Sequence, residues 1–263
     1  MIGVFDSGLG GLSVLAAVAR ALPAADLVYF ADSAHLPYGN KSDAFICARV
    51  LAIGTRLAEQ GCDTLVVACN TATAAALISL REHLPNIVVV GVEPGVKPAA
   101  ASSRSGRIAV LATESTARSE RLAQLIRAHA SQVEVHVEAC PGWATRVETL
   151  HALDPDHEFA AEVAAKVQPL LAAGVDRLVL GCTHYSFLAA TLRPLVAGRA
   201  EIVDVAEAVA RQVARLHGAA GAGSGRLRLL SSAHPERLQR ALPALGLDWL
   251  ASHQKAPAVQ LHA

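Results

Sequence analysis

Short apolar runs alternate with longer segments of helical period along this chain. "IGVF" from Ile2, "LVYFAD" from Leu27, "TLVVAC" from Thr64 and "NIVVVG" from Asn86 are the runs. Between them lie "LSVLAAVARAL", "AFICARVLAIGTRLAEQ" and "TATAAALISLREHL", whose apolar residues recur at helical spacing. Runs that are apolar at every position predict strands buried on both faces, as in a parallel sheet sandwiched by helices. The rhythm breaks over "GVEPGVKPAAASSRSG", Gly91 to Gly106, where Pro94, Pro98 and small residues mark a crossover. It restarts with "RIAVLAT", "ERLAQLIRAHA", "VEVHVEAC", "EFAAEVAAKVQPLLAAG", "RLVLGC" and "AEIVDV". "RLRLLSS" and "PERLQRAL" add a late strand and helix, and the last dozen residues, polar with Pro257, are expected to fray.

The two halves resemble each other. "GCDTLVVAC" from Gly61 and "GVDRLVLGC" from Gly174 align without a gap, and "MIGVFDS" and "RIAVLAT" both hold the first-strand position. The reading is a duplication: two pseudo-symmetric, doubly wound, flavodoxin-like α/β domains with mainly parallel sheets. Residues 1–94 form the first domain and 95–205 the second. The second half reaches its own strand complement early, so 206–263 is expected to return and complete the first. Ligands of open α/β sheets bind at the carboxyl ends of the strands. Both repeats end a strand on a cysteine, so Cys69 and Cys182 are expected to flank one interdomain cleft.

Charge narrows the function. The 263 residues carry 23 basic and 23 acidic side chains with no long block of one sign, which disfavours nucleic acid or a membrane surface as partner. No apolar run reaches the ~20 residues of a membrane span. "MIGVFDSGLGG" lacks the basic start of a secretory signal. The five cysteines, Cys47, Cys62, Cys69, Cys140 and Cys182, include no C-x-x-C pair, which points to free thiols in a reducing cytoplasm.

Cys69 and Cys182 differ from the others because each stands at a strand-to-helix junction and is followed by polar residues, Asn70 and Thr71 in one case, Thr183 and His184 in the other. Helix N-termini lower thiol pKa values, so both are expected below the usual ~8.5. Three chemistries suit the pair: a disulfide, a single nucleophile assisted by His184, or two facing acid/base groups that invert a carbon centre. The third uses both thiols and accounts for the duplication. "FDSGLGG" is a poor nucleotide-binding turn, because Ser13 stands where the third glycine belongs. Asp6 and Ser7 are instead site candidates at a strand tip, with helix capping as the alternative. "FADSAHLPYGN", Phe30 to Asn40, can turn backbone N–H groups towards a carboxylate. No lysine sits in a strand-end motif suited to a Schiff base, so the chemistry is expected to need no cofactor.

Taken together, "FDSGLGGLSV", "LPYGNK", "ACNTATAAAL", "GVEPGVKPA", "LATESTARS" and "GCTHY" resemble the bacterial glutamate racemases, in order and spacing, from residue 2 to about residue 210. The resemblance implies cofactor-independent interconversion of L- and D-glutamate, supplying D-glutamate for peptidoglycan in the cytoplasm. Some members of the family dimerise, so a homodimer is compatible with it. By position, Cys69 and Cys182 would be the two acid/base residues. Asp6 and His184 would assist them, with Asp32 and Glu148 as further polar candidates. Ser7, Tyr38, Gly39, Asn70, Thr71, Thr116 and Thr183 would hold the substrate together with Asp6 and His184. "ADSAH" stands where G-D-T-A-R is more familiar, and "TEST" where T-x-G-T is. Both departures bear on specificity rather than reaction type. Racemisation of another diacid such as aspartate is the alternative.

Overall fold

The structure, a computed structural model, describes residues 1–149, 157–218, 223–261 and 263. The strands run in chain order as β1 (Ile2–Asp6), β2 (Leu27–Ala31), β3 (Thr64–Val67), β4 (Val88–Gly91) and β5 (Arg107–Ala112). Then follow β6 (Glu134–Ala139), β7 (Arg177–Leu180), β8 (Glu201–Val203), β9 (Leu227–Ser231) and β10 (Val259–Gln260). They form two sheets, ordered β10-β9-β2-β1-β3-β4 and β6-β5-β7-β8. Every strand pairing among the described residues is parallel. Each sheet therefore holds the order second, first, third, fourth, the doubly wound order whose switch point lies between its first and third strands.

The strands explain their own composition. Ile2 and Val4 of β1 pack into one core with Leu12 and Leu15 of the helix Leu12–Ala21. Phe5 packs into the core on the other face with Ile46, Val50 and Ile53 of the helix Asp43–Glu59. In β5, Ala109 and Leu111 face one core while Ile108 and Val110 face another. Alternate side chains feed opposite cores, so no position of a central strand is free to be polar. Gly61 and Gly174 match in the repeat and match in conformation, with φ of 91° and 86°. That left-handed backbone turns each helix back into its third strand, and only glycine takes it without strain.

β9 joins the first sheet beside β2, from Leu27↔Leu227 to Ala31↔Ser231. One expectation fails at the C-terminal end. The last dozen residues were expected to fray, but β10 pairs Val259↔Leu230, and Leu261 N–H donates to Ser231 O at 2.8 Å. The outer edge of β9 presents unpaired backbone groups, and a short polar strand satisfies them. No helix among the described residues is long and apolar enough to cross a membrane.

Leu230, 3% exposed, packs among Phe5, Val28 and Phe30. Leu230→Ala should cost about 2–5 kcal/mol, read as a lower urea midpoint at unchanged slope. A loss below about 1 kcal/mol would show that β9 does not share the core of the first sheet.

Candidate active site

The carboxyl ends of β1, β3, β5 and β7 converge on a cavity of about 200 Å³. That is below the ~300 Å³ at which sites for drug-sized ligands begin, and suits a small metabolite. Cys69 and Cys182 both line it. Their backbones match: Cys69 sits at φ −134°, ψ 120° before the helix Asn70–His83, and Cys182 at φ −145°, ψ 134° before the 3-10 turn Thr183–Leu188. Each strand delivers its cysteine in extended conformation and the chain turns helical on the next residue. Both thiols thus sit at the N-terminal mouth of a helical segment.

Ser7, Tyr38, Gly39, Thr71, Glu148 and His184 share the wall. The other candidates stand behind it. Asp6, Asn70, Thr116 and Thr183 are buried, each at most 6% exposed. Asp32 is fully buried and is not part of the wall. Its carboxylate accepts from Tyr38 Oη at 2.6 Å and from Arg49 Nε and Nη2 at 3.0 and 2.9 Å. It also pairs with His35 Nδ1 at 2.9 Å. Asp32 therefore touches the residues that build the wall, not the space the wall encloses.

His184 is the centre of the polar network. Its Nε2 meets Glu148 Oε1 at 2.5 Å and its Nδ1 lies 3.7 Å from Cys182 Sγ. Glu148 Oε1 also accepts the Leu9 N–H at 2.6 Å, and Gly10 N lies 3.2 Å from His184 Nε2. The "SGLGG" turn after β1 thus docks its backbone on side chains that follow β6 and β7. Glycine is needed for this approach. A Cβ on Gly8 would lie 1.9 Å from Glu148 Oε1, and one on Gly10 would lie 2.3 Å from His184 Nδ1. Asp6 ties the same turn from within: it accepts from Ser7 N at 2.6 Å, from Thr183 Oγ1 at 3.3 Å and from Gly11 N.

Burial dominates the electrostatics. Desolvation pushes Cys69 well above the usual thiol value, and the neighbouring Asp6 adds to the rise, while the Ala72 N–H only partly opposes it. The sequence expectation of a lowered value is therefore wrong for Cys69. The helix N-terminus acts as expected, but loss of water outweighs it. Burial also raises Asp6, with Glu148 adding to the rise and His184 opposing it. Burial would lower His184, yet its hydrogen bonds to Cys182 and Glu148 carry it well above the ordinary histidine value. Asp32 goes the other way: burial would raise it, but Arg49, Tyr38 and His35 hold it below the ordinary value.

Among the wall residues missed in the sequence, two carry polar or thiol chemistry at strand ends. Thr113 lines the cavity at the tip of β5, and its hydroxyl lies 3.1 Å from those of Thr71 and Thr116. It is the counterpart of Ser7 in the repeat of "MIGVFDS" with "RIAVLAT", so the duplication carried the signal. Cys140 follows β6 as Asp32 follows β2, and it too lines the cavity. Burial pushes this thiol up to about 12, which keeps it protonated at neutral pH. The wall includes no arginine or lysine among the described residues. Asn70 Nδ2 is buried without a hydrogen-bond partner among them.

Comparison with known proteins gives a consistent pattern. The family model Asp/Glu/Hydantoin racemase matches residues 2–213. A glutamate racemase of Pseudomonas putida is 47% identical over 248 residues, covering 93% of each chain. The crystal structure of Escherichia coli glutamate racemase in complex with L-glutamate and the activator UDP-MurNAc-ala superposes with a TM-score of 0.85. It is 32% identical, with 99% of this chain and 97% of that one covered. Glutamate racemase from Thermus thermophilus in complex with β-chloro-D-alanine is 33% identical, with a TM-score of 0.74 over 100% of this chain and 96% of that one.

The His184–Glu148 pair makes a direct prediction. Glu148→Gln removes the charge that helps raise the imidazole, so His184 should titrate lower by about one pH unit or more, followed by NMR of the ring protons. An unchanged titration would show that Glu148 does not set the charge of His184.

Proposed function

The chain belongs to the Asp/Glu/Hydantoin racemase family, and from that premise we propose that it is a glutamate racemase working by two facing thiols. The observation that carries the reading is the pair itself: Cys69 and Cys182, matched in backbone conformation, at corresponding strand ends on one small cavity. Inversion at carbon needs a base on one face and an acid on the other, and duplicated half-sites supply both.

In the L-to-D direction Cys182 takes the α-proton and Cys69 delivers one to the opposite face. Cys69, kept protonated by burial, starts that direction in the state it needs. His184 lies at hydrogen-bonding distance from Cys182, and its protonated ring can favour the anionic sulfur that takes the proton. In the D-to-L direction the roles reverse, and Asp6, its carboxyl raised by burial, can share the proton of Cys69. The substrate brings two carboxylates and an ammonium group. The hydroxyls of Ser7, Thr71 and Thr113 line the cavity as neutral donors for the carboxylates, with Thr116 behind them bonded to Thr71. Neutral donors hold both enantiomers with little bias. The α-proton is weakly acidic, so donors fixed in a water-poor cavity must stabilise the developing carbanion, and each tenfold in rate needs about 1.4 kcal/mol.

The same reading takes 1–94 with 206–263 as one domain and 95–205 as the other, supported by the membership of the two sheets. It places the enzyme in the cytoplasm, where D-glutamate enters peptidoglycan synthesis, with L- and D-glutamate as its small-molecule partners. A homodimer is compatible with the reading.

Two measurements test it. In deuterium oxide, L-glutamate should racemise and gain deuterium at the α-carbon. Exchange with aspartate only would shift the substrate, and no exchange would remove the activity. The division of labour is read with a glutamate analogue bearing chlorine on the β-carbon, where loss of the α-proton expels chloride and needs only the abstracting base. Cys69→Ala should keep elimination from the L-like analogue and lose it from the D-like one, and Cys182→Ala should do the reverse. Enantiomers have equal free energies, so kcat/KM must be the same in both directions for every variant. Each variant should therefore lose racemisation equally in both directions, by about 10²–10⁴-fold or more. Loss of both eliminations in one variant, with neither lost in the other, would replace the two-base mechanism with a single swinging base.

A further inference from the structure

Arg49 lies on the helix Asp43–Glu59, outside the cavity wall, and no part of the mechanism above uses it. Its side chain is only 15% exposed. The guanidinium grips fully buried Asp32 with two parallel hydrogen bonds, Nε to Oδ2 at 3.0 Å and Nη2 to Oδ1 at 2.9 Å. Its Nη1 donates to Ala263 O at 2.6 Å. Asp32 passes the grip on, for its Oδ2 also accepts from Tyr38 Oη at 2.6 Å. Tyr38 and Gly39 are wall residues, and a Cβ on Gly39 would lie 3.3 Å from Thr113 Cβ of the other sheet. A continuous chain of contacts thus runs from Arg49 through Asp32 and Tyr38 to the face where the substrate carboxylates would bind.

We propose that Arg49 is a positioning residue for substrate binding: through Asp32 it fixes the Tyr38–Gly39 wall of the cavity. This rests on the racemase reading of the same site. The physical reason is the buried carboxylate. Asp32 can stay ionised without water only if its oxygens are saturated, and the planar guanidinium fork fills one acceptor site on each oxygen. The remaining sites hold the Tyr38 hydroxyl and His35 in fixed directions. Without the fork, the carboxyl is left under-paired, and the wall it anchors can shift. The thiols, which follow β3 and β7, take no part in these hydrogen bonds. The effect should therefore fall on KM rather than on the chemical step.

Steady-state racemisation of L- and D-glutamate by the full chain tests this in a double-mutant cycle. Arg49→Met should raise KM about tenfold for both enantiomers, with kcat changed by less than about threefold. Arg49→Lys should recover part of the loss, since an ammonium keeps the charge but not the fork. Tyr38→Phe cuts the chain at its next link and should raise KM similarly. Arg49→Met combined with Tyr38→Phe should be no worse than about the larger single effect, because both break one path. If Arg49→Met does not fold, the cycle is run with Arg49→Lys. An unchanged KM in the Arg49 variant, a fall in kcat alone, or effects that multiply in the double variant would overturn the proposal. A wild-type chain that does not racemise glutamate would instead defeat the functional reading. An active wild type whose Arg49 variants keep its KM would defeat only the role of Arg49.

Discussion

The site depends on one ionic contact, that of His184 with Glu148, whose side chains are only 6% and 10% exposed. Glu148 follows β6, His184 follows β7, and both are met by the backbone of the turn after β1. Burying an imidazole and a carboxylate separately would cost several kcal/mol each, and pairing them offsets that cost only if the remaining valences are filled. The Leu9 N–H fills one on Glu148, and Cys182 faces the other ring nitrogen of His184. Both partners follow strands of the second sheet, and the turn after β1 brings the first sheet's backbone onto them, so the charge state of the site and the approach of its two halves are linked. The glycines at 8 and 10 follow from this, since any side chain there would occupy the space of the Glu148 carboxylate or the His184 ring.

Symmetry of the fold coexists with asymmetry of the chemistry. The two cysteines share strand position and backbone conformation, but their neighbours differ. Cys69 lies near Ser7, Sγ to Oγ 4.0 Å, and is influenced by the Asp6 carboxyl. Cys182 lies beside the histidine. A duplicated scaffold gives matched placement on both faces of a substrate. The difference of single residues, such as Asp6 opposite Ala112 and Thr71 opposite His184 in the repeat, gives each face its own proton-handling group.

How far the sequence reached can be judged residue by residue. Continuous apolar runs disclosed the parallel strands, because a strand between two helical layers has no polar face. The gap-free match of Gly61–Cys69 with Gly174–Cys182 disclosed the duplication and both thiols. The motifs disclosed Ser7, Tyr38, Gly39, Thr71, Glu148 and His184, which line the cavity. Thr113 was legible only through the repeat, as the counterpart of Ser7. The pairing of Val259–Gln260 with β9 was not legible, because a short polar edge strand has no periodicity to detect.

The sequence by itself determined which residues end strands, because backbone period and side-chain polarity are local properties. It also determined that two cysteines occupy equivalent places. Tertiary structure alone decided what those residues are worth chemically. Cys69 sits at a helix N-terminus, which locally lowers a thiol pKa, yet it is raised because the fold removes the surrounding water and sets Asp6 beside it. Asp32 looked like a site carboxylate, yet it is turned away from the cavity by a guanidinium 17 residues further along the chain. Desolvation and pairing are sums over everything that surrounds a group in space, and no stretch of neighbouring residues contains that sum.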